Sequence, residues 1–277
     1  MARNNNEIPK PNYDTEVSEI VKVYKEALGS IQREIADVAT SDMTRAFLLV
    51  KEASIKQIID NLNRQGLSMV DELLTNAALD GVARTIVNLG YVETYETARQ
   101  IARFGELNTP FVHMIIADTQ EDMLKITRNM EKQSKQAIRR AITDVMREQY
   151  ALGEGKGSVM TRELVKELNK MTDLAIIDNA GRKWKIETYA HMAVQTNAMN
   201  AHRTASINEG LEDGARYGII SKHGAKDACR RYEGKIVSLV PDDKKYIYVE
   251  ELPKSEIFHP HCKHVVTPIF DPSKYEK

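Results

Sequence analysis

The residues best suited to chemistry lie close together near the end of the chain, where residues 258–264 read FHPHCKH. This stretch holds three of the seven histidines and one of the two cysteines. Thiolate and imidazole are ligands that zinc prefers, and His259 and Cys262 can reach one ion across a tight turn that Pro260 would stiffen. The other cysteine, Cys229, ends a second stretch, residues 221–229, which reads SKHGAKDAC.

Together the two stretches supply a candidate ligand set for a structural Zn²⁺ ion. Cys229 and Cys262 offer two sulfurs, His259 and His264 offer two nitrogens, and His223 is a further candidate. Neither stretch contains a C-x-x-C pair, so the same residues also fit a metal-free arrangement of hydrogen-bonded histidines and buried thiols. A disulfide between the two cysteines is a third alternative if the protein meets oxidising surroundings.

Catalysis is the fourth alternative for these residues. A metal-dependent nuclease or effector would centre on His223, Asp227 and His259, with the neighbouring basic residues binding nucleic acid. A Cys–His nucleophile pair is compatible with composition alone. Carboxylates are scarce around the histidines, and nothing in the pattern positions an activated nucleophile. The sequence therefore favours a structural role, and we expect no catalytic residues.

Composition narrows the classes of protein further. The chain has 277 residues, 42% of them hydrophobic, with only 6% aromatic residues and a net charge of −1. These values predict a packed, helix-rich protein and exclude a polycation, so any contact with nucleic acid must come from a local patch. Two cysteines cannot form a disulfide framework, the polar N-terminus is not a signal peptide, and the apolar runs are too short to span a membrane. We therefore expect a soluble protein made in a reducing compartment.

The elements that must position the cluster begin with a helical N-terminal part. Apolar spacing predicts an amphipathic helix over residues 17–38. Further helices are predicted over 42–65 with Ser41 as N-cap and Gly66 as stop, over 69–89, from Thr109-Pro110 onward, over 122–150, and over 158–171. Gly153 to Gly157 reads as a hinge.

The helix over 122–150 carries two stripes on opposite faces. The apolar stripe comprises Met123, Ile126, Met130, Ala137, Ala141 and Val145. The basic stripe comprises Lys125, Arg128, Lys132, Lys135 and Arg139. The basic stripe is either a solvated face or a contact with DNA phosphates or an acidic protein surface.

The last third of the chain is predicted to be an α+β module. A hairpin is predicted from residues 174–177 and 183–186, followed by a long helix over 187–210. Short strands are predicted over 217–221, 235–240, 246–249 and 264–269. The fold class is therefore α+β, with mainly helical N-terminal two-thirds. The predicted organisation is a flexible arm (1–14), a helical docking region (15–157) and an α+β module carrying the His/Cys residues (158–277).

Four stretches of this module carry a family resemblance. They are residues 181–189 (GRKWKIETY), 221–229 (SKHGAKDAC), 232–238 (YEGKIVS) and 258–264 (FHPHCKH). In order and spacing they resemble the minor capsid protein 2 family of tailed bacteriophages, which is related to the Mu-type head-morphogenesis proteins. The resemblance covers about residues 174–270. His261 replaces the family's usual Asn, and Lys263 its usual Arg.

The resemblance implies a structural virion protein present in few copies rather than an enzyme. It implies association with the phage portal or the major capsid protein, on the capsid interior or at the portal vertex, after assembly in the host cytoplasm. Some such proteins are thought to accompany DNA, so packaged DNA is a further expected contact. No membrane and no small-molecule substrate are implied.

Overall fold

The structure, a computed structural model, describes residues 8–40, 45–152, 176–177 and 181–276. Five α-helices occur in these residues: α1 (Asp14–Thr40), α2 (Arg45–Leu89), α3 (Tyr95–Ile101), α4 (Asn108–Leu152) and α5 (Ile186–Glu212). Five short strands accompany them: β1 (Ile176–Ile177), β2 (Lys183–Trp184), β3 (Tyr217–Ile220), β4 (Ile236–Ser238) and β5 (Val266–Ile269). Three 3₁₀ turns cover Ala228–Arg231, Val249–Glu251 and Pro272–Tyr275. The predicted α+β class is confirmed.

The chain divides into two compact units. The sheet unit comprises Met1–Val17, Val70–Thr119 and Met192–Lys277, and the helix unit comprises Ser18–Met69 and Gln120–His191. Helices α1, α2, α4 and α5 contribute residues to both units. The predicted boundary at residues 153–157, the helix over 158–171 and the N-cap Ser41 lie outside the described residues, so the predicted organisation stays a prediction.

The sheet unit is built on three antiparallel strands in the order β4-β3-β5. Ile220 pairs with Val266 and Tyr217 with Ser238, so β3 lies in the centre. Helix α5 packs closely on this sheet, because a Cβ added at Gly210 would lie 2.4 Å from the Pro268 side chain. The strands thereby hold the segments that carry the cysteines and histidines.

Buried polar contacts join α2, α5 and β5 within the sheet unit. The hydroxyls of Thr85 and Ser206 lie 2.7 Å apart, and the Ser206 hydroxyl donates to the Val266 carbonyl at 3.2 Å. A Cβ added at Gly81 would lie 2.1 Å from the His202 carbonyl oxygen, so only glycine fits at this crossing of α2 and α5. These hydrogen bonds hold α5 against the sheet, because a buried polar group left without a partner would destabilise the folded state.

The helix unit combines parts of α1, α2 and α4 with the hairpin. Its apolar stripes are buried, with Tyr24, Ile31 and Met123 at 0% exposure. Lys51 pairs with both Glu34 and Asp37, which ties α2 to α1. In the predicted hairpin, which is present with shorter strands, Ile176 pairs with Trp184 and Ile177 with Lys183 in antiparallel register.

Two helices predicted over 42–65 and 69–89 are one continuous helix, α2, so the predicted stop at Gly66 is wrong. A Cβ at Gly66 would lie 2.8 Å from the Tyr24 ring. Glycine is therefore required here for close approach of α1 and α2 rather than for a helix end. Helix α3 was not predicted; the Thr94 side chain caps its first turn by accepting from the Thr97 N–H at 3.2 Å.

The predicted strand over 246–249 is also wrong. Tyr248 makes a single parallel bridge with Ser238, and a 3₁₀ turn begins at Val249. Val249 is 5% exposed and is buried within this turn rather than by a strand ladder, whereas Ile247 is 47% exposed. The other three predicted strands of the module are confirmed with shorter bounds.

Candidate metal centre

Cys229 is positioned by the 3₁₀ turn Ala228–Arg231, whose N-cap is Asp227. The Asp227 carboxylate accepts a hydrogen bond from the Cys229 N–H at 3.1 Å. The sulfur points into the hydrophobic core of the module, where Cys229 is 2% exposed among residues such as Val237 and Ile257. The first cysteine is therefore held by a capped turn and surrounded by apolar side chains.

His259 and Cys262 are positioned by a tight turn. The Cys262 N–H donates to the His259 carbonyl at 2.9 Å, Pro260 occupies the second position, and His261 has φ +67°. A hydrogen bond across four residues, proline second and positive φ third are the features of a type II turn. The predicted tight turn stiffened by Pro260 is therefore present, with His259 as its first residue and Cys262 as its fourth.

The backbone conformation of this turn explains which residue types suit position 261, where the third histidine of the stretch FHPHCKH lies. His261 is exposed and belongs to none of the groups of converging donor atoms that occur among the described residues. Its position needs a left-handed backbone conformation, which Asn adopts readily and His more readily than most residues. His at this position, where the family resemblance implies Asn, is therefore compatible with the turn, and His261 adds no donor atom to the groups that converge among the described residues.

The four predicted ligands Cys229, His259, Cys262 and His264, named here the Cys/His cluster, lie in one chain of contacts. The two sulfurs are 3.7 Å apart. The Cys229 sulfur is 3.1 Å from Nε2 of His259, and the Cys262 sulfur is 3.3 Å from Nδ1 of His264. Both cysteines are free, so the structure does not contain the disulfide considered from the sequence.

Donor atoms converge in three groups that share members. One group is Cys229, Cys262 and His264, all buried, with their ligand atoms within 4.8 Å of one another. The second is Asp227, Cys229 and His259, and the third is His223, Glu233 and His264. His223, the further candidate ligand, stacks on His264 with ring centroids 3.9 Å apart, so it lies beside the cluster. His223 falls in a different group from Asp227 and His259, its partners in the nuclease alternative.

A second layer of contacts orients both cluster imidazoles. Nδ1 of His259 lies 2.8 Å from the Pro260 carbonyl, so this nitrogen carries the proton and Nε2 presents its lone pair towards Cys229. Nε2 of His264 lies 3.4 Å from the Glu233 carboxylate, which leaves Nδ1 facing Cys262. Carboxylate and carbonyl partners of this kind fix the tautomer of a metal-binding histidine.

Glu233 is a site residue that the sequence analysis missed. One of its carboxylate oxygens accepts from the N–H groups of His223 and Ala225, both at 2.9 Å, in a loop where Gly224 has φ +77°. These backbone hydrogen bonds lower the pKa of Glu233 to about 2. The only signal for Glu233 in the sequence was its position in the stretch YEGKIVS, where no pattern of apolar spacing accounts for an acidic residue.

Burial shifts the pKa values of Cys229 and His264. Burial and the neighbouring Cys262 raise the pKa of Cys229 to about 12. Burial and the adjacent His223 lower the pKa of His264. A neutral thiol is a poor nucleophile, so this arrangement argues against a Cys–His nucleophile pair.

Arg203 of α5 also supports the turn. Its guanidinium lies 4.1 Å from the centroid of the Phe258 ring, and Phe258 has φ +59°. A cation over an aromatic face is attractive, which stabilises Phe258, the residue that precedes the turn. The sequence analysis did not single out Arg203, because nothing in sequence spacing links residue 203 to residue 258.

The predicted basic stripe of α4 is solvent-facing but partly neutralised. Lys125, Arg128 and Lys135 form ion pairs with Asp122, Glu121 and Glu131 at 2.6–2.7 Å. Lys132 and Arg139 are exposed and have no ion-pair partner among the described residues. On the opposite face Met123, Ile126, Met130 and Ala137 are buried. The side chains of Ala141 and Val145 lie outside the described residues.

The fold and the site define a helix-rich α+β protein whose metal-binding residue types are collected in its core. The chain matches the family model of phage minor capsid protein 2 over residues 14–273, and it therefore belongs to that family. It is accordingly a structural protein of the phage virion that interacts with other phage structural proteins. No curated protein and no solved structure is detectably similar to it. Within the described residues, no helix combines the length and apolar character needed to cross a membrane.

Proposed function

We propose that this minor capsid protein acts as a non-enzymatic docking component of the phage head, bound to the portal or to the major capsid protein on the inner side of the shell. The observation that carries the proposal is the family match across residues 14–273, which includes both units. Helices of 45 residues, α2 and α4, offer long surfaces of the kind that suits attachment to another protein.

Exposed apolar side chains support a docking role. In the sheet unit Ile101 and Met114 are 51% and 54% exposed, and in the helix unit Leu49 and Val50 are 54% and 64% exposed. Single exposed apolar residues are ordinary on a protein surface. They are nevertheless the positions at which a bound head protein would remove the most apolar area from water.

The docking proposal is tested by co-expression with the tagged portal protein or the tagged major capsid protein of the same phage. We expect co-purification with one of the two and loss of binding for one of two double variants, Ile101→Ser/Met114→Ser or Leu49→Ser/Val50→Ser. The other pair serves as the matched control. Failure to bind either protein, together with absence from purified particles by quantitative mass spectrometry, would contradict the proposal.

The absence of catalysis is part of the proposal and has its own support. Cys229, Cys262 and His264 are 2%, 6% and 1% exposed, whereas a catalytic metal needs a position open to substrate. In the metal-dependent nuclease alternative, His223 and Asp227 would act together, but the two groups of donor atoms to which they belong share no member. Incubation of the purified chain with DNA or RNA and Mg²⁺, Mn²⁺ or Zn²⁺ should give no cleavage. Cleavage that His259→Ala abolishes while the fold persists would establish the alternative.

Contact with packaged DNA is a second candidate function, favoured by Lys132 and Arg139. Between residues 121 and 140 the chain carries six basic and three acidic residues, and these two basic side chains face solvent without an ion-pair partner in the described part of α4. Unpaired surface cations release counterions when they bind phosphates, which gives salt-dependent affinity.

Charge-reversal variants compare how much DNA binding depends on the two basic residues without an ion-pair partner in the described part of α4 and on two that form ion pairs. Lys132→Glu/Arg139→Glu should weaken binding to duplex DNA and reduce the salt dependence of the binding constant by about two units of log–log slope. The control, Lys125→Glu/Arg128→Glu, makes the same change in net charge at residues already neutralised by Asp122 and Glu121. Equal losses for the two double variants, or no DNA binding by the unaltered protein, would remove this candidate.

A further inference from the structure

We infer that Cys229, His259, Cys262 and His264 together bind one structural Zn²⁺ ion in the core of the sheet unit. The inference concerns the stability of this unit and does not depend on which head protein the chain docks on. It starts from the residue types: two thiols and two imidazoles are a common ligand set of structural zinc sites. They come from two segments separated by about thirty residues of chain.

The spacing of the donor atoms suits a tetrahedral ion. Zinc–sulfur bonds of about 2.3 Å at a tetrahedral angle place two sulfurs about 3.8 Å apart. The sulfurs of Cys229 and Cys262 are 3.7 Å apart, well beyond a disulfide bond and close to this tetrahedral edge. A ring nitrogen of His264 lies within 4.8 Å of both sulfurs, so three donor atoms already converge.

The orientation of the imidazoles supports the same assignment. In each histidine of the cluster, the nitrogen turned away from sulfur is held by an oxygen, the Pro260 carbonyl for His259 and the Glu233 carboxylate for His264. The nitrogen turned towards sulfur is thereby left with a lone pair. This arrangement of a ligand nitrogen and an outer oxygen partner is the one found around zinc-bound histidines.

His259 is the fourth ligand of the assignment; its donor group, Asp227, Cys229 and His259, shares Cys229 with the group of Cys229, Cys262 and His264. Its Nε2 is 3.1 Å from the Cys229 sulfur, and the type II turn fixes it relative to Cys262. An oxygen of Asp227 also lies 3.4 Å from Nε2 of His259, and it can accept no hydrogen bond from this nitrogen once Nε2 binds the ion. Four protein ligands leave no position for water or substrate, so the ion serves the fold and supplies no catalysis.

Binding would stabilise a backbone that is otherwise strained. Phe258 and His261, on either side of His259, both have positive φ without being glycine. Such conformations persist where surrounding contacts enforce them. An ion held by His259 and Cys262 would enforce this one and would join the turn to the 3₁₀ turn that carries Cys229.

The first test uses the unaltered full chain, so it does not depend on whether a variant folds. Protein purified without chelator should contain about one zinc per chain by elemental analysis. Protein stripped of metal and supplied with Co²⁺ should develop the thiolate-to-cobalt charge-transfer and visible bands of tetrahedral cobalt, which Zn²⁺ then displaces. Less than about a tenth of a zinc per chain, with no cobalt spectrum, would overturn the inference. The cluster would then be two thiols that donate hydrogen bonds to imidazole nitrogens.

Variants test which residues bind. Cys229→Ser, Cys262→Ser and His264→Ala should each abolish the charge-transfer bands or reduce them severely, and His259→Ala should weaken cobalt affinity at least tenfold. His261→Asn is the matched control, because it alters a histidine of the same turn that is not a ligand, and it should retain one zinc per chain. Zinc retained by the cysteine variants but lost in Glu233→Gln or His223→Ala would place the ion in the group His223, Glu233 and His264 and contradict the assignment.

Discussion

Gly66 of α2 faces the ring of Tyr24 of α1 so closely that a Cβ at position 66 would lie 2.8 Å from a ring carbon and 2.9 Å from the phenolic oxygen. Tyr24 is fully buried, which limits how far the ring can move. The two helices therefore approach each other over a glycine, and this contact sets their separation within the helix unit.

Substitution Gly66→Ala should destabilise the protein by about 1–3 kcal/mol, because overpacking of a filled core forces a shift of the ring or of the backbone. The measurement is urea unfolding followed by circular dichroism. Gly29→Ala in α1 is the matched control, since its Cβ would meet nothing closer than an Arg33 nitrogen at 3.7 Å. Gly29→Ala should stabilise by about 0.5–1 kcal/mol through helix propensity. Equal effects of the two substitutions would contradict this account.

The contact between Gly66 and Tyr24 is an example of a feature that local sequence patterns do not predict. The amphipathic period of α1 and α4 predicted both helices, because burial of one face depends only on local spacing. Gly66 has the local appearance of a helix end, and only the position of Tyr24, forty-two residues earlier, reveals that α2 continues. Likewise the cysteines and histidines were found by type, whereas Glu233 and Arg203 were not, because their roles arise from contacts between distant segments.

His202 should make the stability of the sheet unit depend on pH in the acid range. Burial, followed by the charges of Arg84 and Arg203, lowers its pKa from 6.5 to about 3, and the Tyr13 hydroxyl lies 2.9 Å from Nδ1. The unfolded chain therefore binds a proton between pH 6.5 and 3 that the folded chain does not bind. This contribution is fully present above pH 6.5 and is lost as the pH falls towards 3, with a slope approaching about 1.4 kcal/mol per pH unit.

The prediction is checked by urea unfolding of the unaltered protein and of His202→Gln at pH 7, 6 and 5. The variant cannot take up this proton, so its free energy of unfolding should fall less steeply on acidification. The control is His113→Gln, which replaces an exposed imidazole of α4 and leaves the buried imidazole of His202 in place, so this variant should follow the unaltered protein. Parallel pH dependences for His202→Gln and the unaltered protein would disprove the prediction.

The contribution of Glu209, near the end of α5, to stability should have the opposite dependence on pH. Burial, together with the charges of Asp213 and Glu212, raises its pKa from 4.5 to about 7. The folded chain therefore binds a proton between pH 4.5 and 7 that the unfolded chain has released. The associated stability is fully present below pH 4.5 and is lost as the pH rises through 7.

Substitution Glu209→Gln should raise the melting temperature by several degrees at pH 8 and change it little at pH 5, since the amide has the same shape and carries no charge. Differential scanning calorimetry at the two pH values measures this. Asp213→Asn tests the coupling, because removal of the neighbouring charge should reduce the benefit of Glu209→Gln at pH 8. A larger gain at pH 5 than at pH 8 would show that the sign is wrong.

His261 should behave as a turn residue at which the backbone conformation decides the effect of a substitution on stability. Its φ of +67° at the third position of the turn favours Asn over His, and both over β-branched residues. We expect His261→Asn to be neutral or to stabilise by a few tenths of a kcal/mol, and His261→Val to destabilise by about 1–2 kcal/mol through backbone strain. Thermal unfolding of the two variants in the same buffer distinguishes them. Because His261 is exposed, a loss of packing cannot account for the difference. If His261→Asn were instead as damaging as His261→Val, the imidazole itself would be required, and the explanation of this departure from the family pattern would fail.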